Sequence, residues 1–146
     1  MFKIGIIGCG KIAQVRHIPE YADHTQAELA GYYDLNTERA KELADRYGGT
    51  VYSSYEELLA DPSIDAVSVC VANNAHAKIT IEALHAGKHV LCEKPMAMDL
   101  ASCEAMVAAA KETGKYLMIG HNQRLAKAHA RARQLVAEGV IGDIVT

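Results

Sequence analysis

The sequence predicts an α/β domain built on a doubly wound parallel sheet, and three observations indicate this fold class. Short apolar runs rich in β-branched residues alternate with amphipathic helical segments along the chain. The turn after the first apolar run is rich in glycine, with the sequence GCGK. The run DAVSVCVA is apolar enough to be covered on both faces. These features favour a parallel sheet with helices on both faces and the strand order 3-2-1-4-5-6.

The individual elements follow from this alternation and from residues that begin or end helices. Ser54 and Glu57 fit a capping box, Asp99 is an expected N-cap, and Gly48 closes the helix TERAKELADRYG. Strands are predicted at residues 3–8, 27–34, 50–53, 65–72, 89–93 and 116–120. Helices are predicted at residues 12–21, 37–48, 54–61, 75–87, 99–114 and 124–139.

The composition favours a globular protein with one main domain. Hydrophobic residues make up 50% of the chain, charged residues 23%, and the net charge of −3 comes with no basic stripe, which argues against nucleic acid as a partner. No apolar run approaches the roughly 20 residues of a membrane span, and the N-terminal run is too short for a signal peptide. We therefore expect a cytoplasmic protein with no membrane partner.

The end of the chain differs from the rest. GVIGDIVT becomes strand-like after Gly142 and then has no strand to pair with. We therefore expect residues 1–139 to form a doubly wound, dinucleotide-binding domain and residues 140–146 to begin a C-terminal substrate domain that is absent.

The cysteines and histidines do not form a pattern typical of metal ligands. The four cysteines have no C-x-x-C spacing, and two lie in strand-like runs, so we expect reduced, buried side chains rather than disulfides or a metal site. His85 and His89 are separated by Gly87, which should end the helix, so they do not share a helical face. No metal site is predicted.

The turn after the first strand has the spacing of a dinucleotide-binding loop. Gly8 and Gly10 permit a tight turn in which a side chain at Gly10 would obstruct a pyrophosphate, and Ala13 lets the helix pack close to the sheet. Its position between a strand and a helix predicts a Rossmann-type site for NAD or NADP, with a plain strand–helix turn as the alternative. The amides expected to face the phosphates at the positive helix end are those around Cys9, Lys11 and Ile12.

Asp34 ends the second strand, 24 residues after Gly10. A carboxylate at this position can accept hydrogen bonds from both ribose hydroxyls of an adenosine and repels a 2′-phosphate. The alternative role is to cap the following helix, which Asn36 could equally do. The nearest arginine that could hold a 2′-phosphate is Arg39. NAD is therefore favoured, and NADP stays possible.

Polar residues also follow strands four, five and six, at the edge where ligands of open parallel sheets bind. Glu93 and Lys94 end strand five, directly before Pro95, which fixes the backbone and permits an unusual peptide geometry. A lysine there can hydrogen-bond a substrate hydroxyl or carbonyl, with Glu93 balancing its charge; a surface ion pair is the alternative. The remaining candidates are Asn73 and His76 after strand four, where helix capping is the alternative, and Asn122 and Arg124 after strand six.

Three segments, GCGKIA, AHAKITIEALHAGKHVLCEKP and GHNQR, together resemble the glucose-fructose oxidoreductase, inositol dehydrogenase and MocA family. The resemblance covers the whole chain but only the N-terminal half of the family. It implies that Lys94 assists catalysis and contacts cofactor and substrate. Asn73 and His76 match the family's T-P-N-x-x-H loop, in which Val71 and Ala72 replace the usual Thr and Pro. Gly120, Asn122 and Arg124 match a G-x-N-x-R element.

The resemblance also implies what lies outside this chain. In the family, a C-terminal α+β domain supplies most of the substrate pocket and the dimer face, so the full-length parent is expected to be a homo-oligomer acting on a small sugar or polyol.

Two functions compete on these residues. The first is the nucleotide-binding half of an oxidoreductase that transfers a hydride between a sugar or polyol hydroxyl carbon and nicotinamide, and we expect this chain alone to bind the cofactor with little turnover. The second is a binding-only nucleotide module, either a sensor or a catalytically inactive homologue. A methyltransferase would also place an acid after strand two but would not account for Lys94.

Overall fold

Each pair of neighbouring strands in the sheet runs parallel, and the spatial order β3-β2-β1-β4-β5-β6 confirms the predicted topology. The computed structural model describes residues 1–145. The strands are β1 Phe2–Ile7, β2 Ala27–Tyr33, β3 Thr50–Val51, β4 Ala66–Val69, β5 His89–Cys92 and β6 Leu117–Ile119. All six lie where the alternation of apolar runs predicts them.

The first five helices connect successive strands and cover both faces of the sheet, and the sixth follows the last strand. They are α1 Ile18–Ala22, α2 Thr37–Tyr47, α3 Tyr55–Ala60, α4 His76–His85, α5 Leu100–Thr113 and α6 Lys127–Ala137. A π-helical turn, Ala13–His17, precedes α1, and 3₁₀ turns at Asn73–Ala75 and Asn122–Leu125 precede α4 and α6.

Two apolar clusters, one on each face, hold the helices to the sheet. One cluster packs α3, α4 and α5 against residues such as Ile7, Val67 and Val69. The other packs the first helical segment and α2 against Ile6 and Tyr32. Because side chains alternate across a strand, neighbouring residues such as Ile6 and Ile7 enter different clusters.

The predicted caps are confirmed at three helices. Asn36 accepts a hydrogen bond from the Arg39 amide at α2, and Ser54 accepts one from the Glu57 amide at α3. Asp99 accepts one from the Ser102 amide at α5. Since Asn36 caps α2, Asp34 is not needed for that purpose.

Three segments differ from the expectations. The helix predicted at 12–21 starts as a π turn, in which the Ile18 amide bonds to the Ala13 carbonyl, five residues earlier. Strand β3 keeps only two residues. The Tyr52 amide still donates to the Tyr32 carbonyl of β2, and the chain then turns toward Ser54, which caps α3. The helix predicted at 124–139 begins at Lys127, and none of its residues is buried.

The segment after α6 was expected to begin a second domain. Residues 143–145 form no strand, so the strand-like pattern after Gly142 is not realised in the described part of the chain. Thr146, the last residue of the expected second-domain segment, lies outside the described residues. None of the helices within residues 1–145 combines the length and the apolarity needed to cross a membrane.

Candidate active site at the carboxyl edge of the sheet

The predicted site residues lie at one edge because parallel strands all end there. The glycine loop follows β1, Asp34 follows β2, Glu93 and Lys94 follow β5, and Asn122 follows β6. Open α/β sheets bind ligands at this edge, beside the point where the strand order reverses between β1 and β4.

The two loop glycines are required for different reasons. Gly8 has a φ of 93°, and a Cβ there would lie 2.6 Å from the Cys70 carbonyl oxygen, so the fold itself requires glycine. A Cβ at Gly10 would meet nothing within 4 Å. Gly10 lines an open groove of about 540 Å³ that also includes Asp34 and Arg39. The chain therefore leaves at Gly10 a space that a bound phosphate group would fill.

The Asp34 carboxylate is held by the surrounding backbone. Its Oδ2 accepts a 2.7 Å hydrogen bond from the Cys9 amide, and its Oδ1 accepts a 2.8 Å hydrogen bond from the Asn36 amide. The Arg39 guanidinium lies 3.4 Å from Oδ1, with its own side chain 41% exposed. The acid and the arginine therefore line the same groove as Gly10.

Cys9 does not present the group expected of it. Its amide is directed at Asp34 rather than at a phosphate, its carbonyl accepts a hydrogen bond from the Gln14 side chain, and its thiol is buried near the Tyr33 carbonyl. Burial, reinforced by the Asp34 charge, raises the pKa of the Cys9 thiol to about 12. Cys9 thus shapes the loop through its contact with Asp34, and a contact of Cys9 with a cofactor stays a prediction. Lys11 is exposed and Ile12 half-buried at the start of the helical segment.

The two residues expected after β4 differ in their surroundings. Asn73 is exposed and opens the 3₁₀ turn without capping a helix through its side chain. His76 is 1% exposed, with Nδ1 2.7 Å from the Pro95 carbonyl oxygen and Nε2 3.1 Å from the Val71 carbonyl oxygen. Both ring nitrogens thus contact backbone oxygens, so His76 supports the loop that carries Lys94. A direct contact of either side chain with a cofactor stays a prediction.

Glu93 and Lys94 do not form the expected ion pair within the described residues. Glu93 is 9% exposed, and its Oε1 lies 2.9 Å from His17 Nε2. Its Oε2 accepts a 3.0 Å hydrogen bond from the backbone amide of Lys94. The Lys94 side chain is exposed, and the Lys94–Pro95 peptide bond is cis. Glu93 therefore fixes the Lys94 backbone instead of neutralising its ammonium group.

The sequence analysis missed His17, which lies between Glu93 and the middle of the sheet. It is 8% exposed, and its Nδ1 lies 3.3 Å from Oγ of Ser68 in β4. The same Oγ is 2.8 Å from the Tyr21 hydroxyl. The sequence did offer a sign of this role. His17 is a polar residue four positions after Ala13 and four before Tyr21, so it lies on the apolar face of the first helical segment.

Asn122 and Arg124 lie in the exposed 3₁₀ turn after β6 and line a second groove of about 740 Å³. His17 and Glu93 line the same groove. The backbone at Gly120 passes close to this carboxylate, since a Cβ there would lie 3.1 Å from Glu93 Oε1. This groove and the groove at Gly10 lie on the same carboxyl edge of the sheet.

Comparison with known proteins agrees with this geometry. The model of a family described as an oxidoreductase family with an NAD-binding Rossmann fold matches residues 2–121. The chain belongs to this family. The open space at Gly10, the half-buried acid after β2 and the glycine-specific turn at Gly8 fit a nicotinamide dinucleotide, NAD or NADP, as the family's cofactor.

Curated relatives of this chain include a sugar reductase and an inositol dehydrogenase. A 1,5-anhydro-D-fructose reductase from Ensifer adhaerens is 41% identical over 143 residues, which are 97% of this chain and 43% of the relative. A myo-inositol 2-dehydrogenase from Thermotoga maritima is 33% identical over 141 residues, 96% of this chain and 42% of the relative. The chain thus spans less than half the length of these curated relatives.

A solved structure shows the same fold. A 3-ketoreductase from Actinomadura kijaniata, crystallised with NADP and TDP-benzene, superposes with a TM-score of 0.91 at 35% identity. The match covers 98% of this chain and 44% of the 3-ketoreductase.

Proposed function

We propose that this chain is the nucleotide-binding part of an NAD(P)-dependent oxidoreductase that transfers a hydride between a sugar or polyol hydroxyl carbon and nicotinamide. The observation that carries the proposal is the open space at Gly10, bordered by Asp34 on the same sheet edge as the exposed Lys94. No contact within the described residues requires glycine at this position, whereas a dinucleotide phosphate does.

The glycine loop and the residues after β2 would hold the cofactor's adenosine and phosphates. Gly8 and Gly10 let the backbone approach the pyrophosphate, and the amides of Lys11 and Ile12 at the start of the helical segment donate to it. Asp34 accepts from the ribose hydroxyls, while Arg39 offers a positive charge to a 2′-phosphate. This combination supports binding of NAD with NADP as a second cofactor.

Lys94 is the proposed catalytic residue. When bound, the nicotinamide accepts or donates the hydride. The Lys94 side chain is free to hydrogen-bond the reacting hydroxyl or carbonyl oxygen and to take up or release its proton. Asn73, His76, Glu93 and Asn122 would complete the nicotinamide end, with His76 and Glu93 acting through the backbone around Lys94.

The substrate class is proposed from the relatives, whose printed names include a sugar reductase and an inositol dehydrogenase. We propose that the enzyme acts in the cytoplasm, where the nicotinamide pools and a reducing environment for its three buried free cysteines are available. A homo-oligomeric parent protein stays part of this proposal.

Lys94→Ala tests the proposal against a binding-only nucleotide module. The variant should bind NADH with an affinity within about threefold of wild type. In the parent protein that carries the C-terminal domain, it should lose about 10²–10⁴-fold in turnover with a polyol panel. Lys111→Ala, an exposed lysine of α5, is the matched control and should change neither quantity.

Calorimetry with NADH and NADPH and the absorbance of NADH measure the two quantities. Absence of binding of either cofactor at millimolar concentration would overturn the cofactor site. Turnover is measured in the parent protein that carries the C-terminal domain, since this chain alone is expected to bind the cofactor with little turnover. Cofactor binding with no turnover by the parent protein would favour the binding-only module.

A further inference from the structure

A continuous line of buried polar groups runs from α1 to the end of β5. The Tyr21 hydroxyl contacts Ser68 Oγ, Ser68 Oγ contacts His17 Nδ1, and His17 Nε2 contacts Glu93 Oε1. The second oxygen of Glu93 accepts from the Lys94 amide. The line thus joins the first helical segment, β4 and the residue after β5 on one side of the sheet. Its members His17 and Glu93 are 76 residues apart in the chain.

The hydrogen bonds along this line are consistent with one orientation. The Glu93 carboxylate only accepts, so the imidazole Nε2 must carry the proton that it donates to Oε1. In the neutral ring, Nδ1 then accepts from the Ser68 hydroxyl, and Ser68 accepts from Tyr21. Every buried polar group in the line has a partner, which is the condition for a network that fixes a geometry.

We propose that His17 is a positioning residue that holds the Glu93 carboxylate against the Lys94 amide and thereby fixes Lys94 at the nicotinamide end of the site. The role of Lys94 in this statement rests on the proposed function. The fixing of its backbone does not, because it follows from the contacts alone.

Removal of His17 should release Glu93. A carboxylate whose side chain is 12% exposed is stable there because His17 donates to it, and a buried charge without a partner is costly. The groove lined by both residues gives Glu93 a route to water. Once the carboxylate turns toward solvent, the Lys94 amide loses its acceptor and the backbone before Pro95 is no longer held from this side.

The first measurement is amide hydrogen exchange followed residue by residue in the protein without cofactor. In His17→Leu, which fills the space without a hydrogen bond, the Lys94 amide should exchange at least about tenfold faster than in wild type. The Glu93 and Gly120 amides, which bond to the Val69 and Cys92 carbonyls, should stay within about twofold. His17→Gln, which can still donate to Glu93, should restore most of the protection.

The second measurement compares cofactor fragments. The affinity for NADH should fall about five- to tenfold in His17→Leu, whereas the affinity for ADP-ribose, which lacks nicotinamide, should stay within about twofold. Tyr52→Phe is the matched control, because it removes a side-chain hydrogen bond to Asp61 elsewhere in the fold. In this variant, the affinities for NADH and for ADP-ribose should both equal those of wild type.

Each outcome decides the inference. Unchanged exchange at Lys94, or equal acceleration of the Lys94, Glu93 and Gly120 amides, would overturn the positioning role, since the latter indicates general loosening of the edge. If His17→Leu does not fold, Glu93→Ala replaces it, and retained protection of the Lys94 amide would then overturn the inference. If wild type binds neither NADH nor ADP-ribose, the proposed function fails while the exchange result still decides the role of His17.

Discussion

The backbone amide of Cys9 donates a 2.7 Å hydrogen bond to Oδ2 of Asp34, 25 residues further along the chain. This bond joins the glycine loop after β1 to the end of β2, the two segments expected to contact opposite ends of an ADP group. Asp34 therefore holds the loop in place and also lines the groove, at the position where we propose that the adenosine ribose binds.

Asp34→Ala should weaken NADH binding by about 1–3 kcal/mol, the range for hydrogen bonds to a charged group. The preference for NADH over NADPH should become smaller, because the carboxylate that repels a 2′-phosphate is removed. Asp34→Asn keeps an oxygen that can accept from Cys9, so its loss should be smaller. Calorimetry with both cofactors measures the two effects. Equal losses in the two variants would show that the loop contact contributes nothing to binding.

Gly10→Ala should separate cofactor binding from folding. Its Cβ meets nothing within 4 Å, so the melting temperature should fall by no more than about 3 °C, while NADH affinity should drop at least about tenfold. Gly8→Ala is the matched comparison, since its Cβ would lie 2.6 Å from a carbonyl oxygen at a φ of 93°. It should destabilise the fold by about 2–4 kcal/mol. Full NADH affinity in Gly10→Ala would contradict the placement of the phosphates.

Arg39→Ala should reduce NADPH affinity more than NADH affinity. Arg39 lies beside Asp34 in the groove that we propose for adenosine, and a 2′-phosphate binds best to a planar guanidinium. We expect at least about a fivefold loss for NADPH and about a twofold change for NADH. Arg46→Ala, on the last turn of the same helix, is the control. Equal losses for both cofactors would instead indicate a contact to adenine or to the loop.

The four cysteines should differ in reactivity toward a thiol reagent such as 5,5′-dithiobis(2-nitrobenzoate). Burial raises the pKa of Cys9, Cys70 and Cys92, to about 12 for Cys9, so almost none of these thiols is ionised at pH 8. Cys103 is only partly buried. One thiol per native chain should react within minutes and four after unfolding, and Cys103→Ser should remove the fast one. Fast reaction of two or more native thiols would show that the glycine loop or the end of β4 opens.

The sheet could be predicted from the sequence, because each strand corresponds to a local run of apolar residues. The order of strands followed from the alternation with helices, and the caps Asn36, Ser54 and Asp99 followed from residues one turn apart. The crevice residues were also predictable, since the carboxyl ends of parallel strands meet at one edge. These features depend on neighbours in the chain or on a general rule of topology.

Other features depended on distances in space. The sequence suggested that Glu93 would balance Lys94, its neighbour, but the carboxylate instead contacts His17, 76 residues away, and accepts from the Lys94 backbone. The Cys9 amide was assigned to a phosphate, but the fold brings the Asp34 oxygen within 2.7 Å of it. The hydrogen-bond partner of a buried amide or carboxylate is the polar group that the packing of the fold places next to it.

The sequence by itself therefore determined the fold class, the strand order, the glycine loop and the set of polar residues at the carboxyl edge. Only the tertiary structure decided how those residues are connected, including the line from Tyr21 through Ser68 and His17 to Glu93. The physical reason is that periodicity and capping act within a few residues of chain, whereas buried polar groups must find partners wherever packing brings them, and a buried group without a partner is costly.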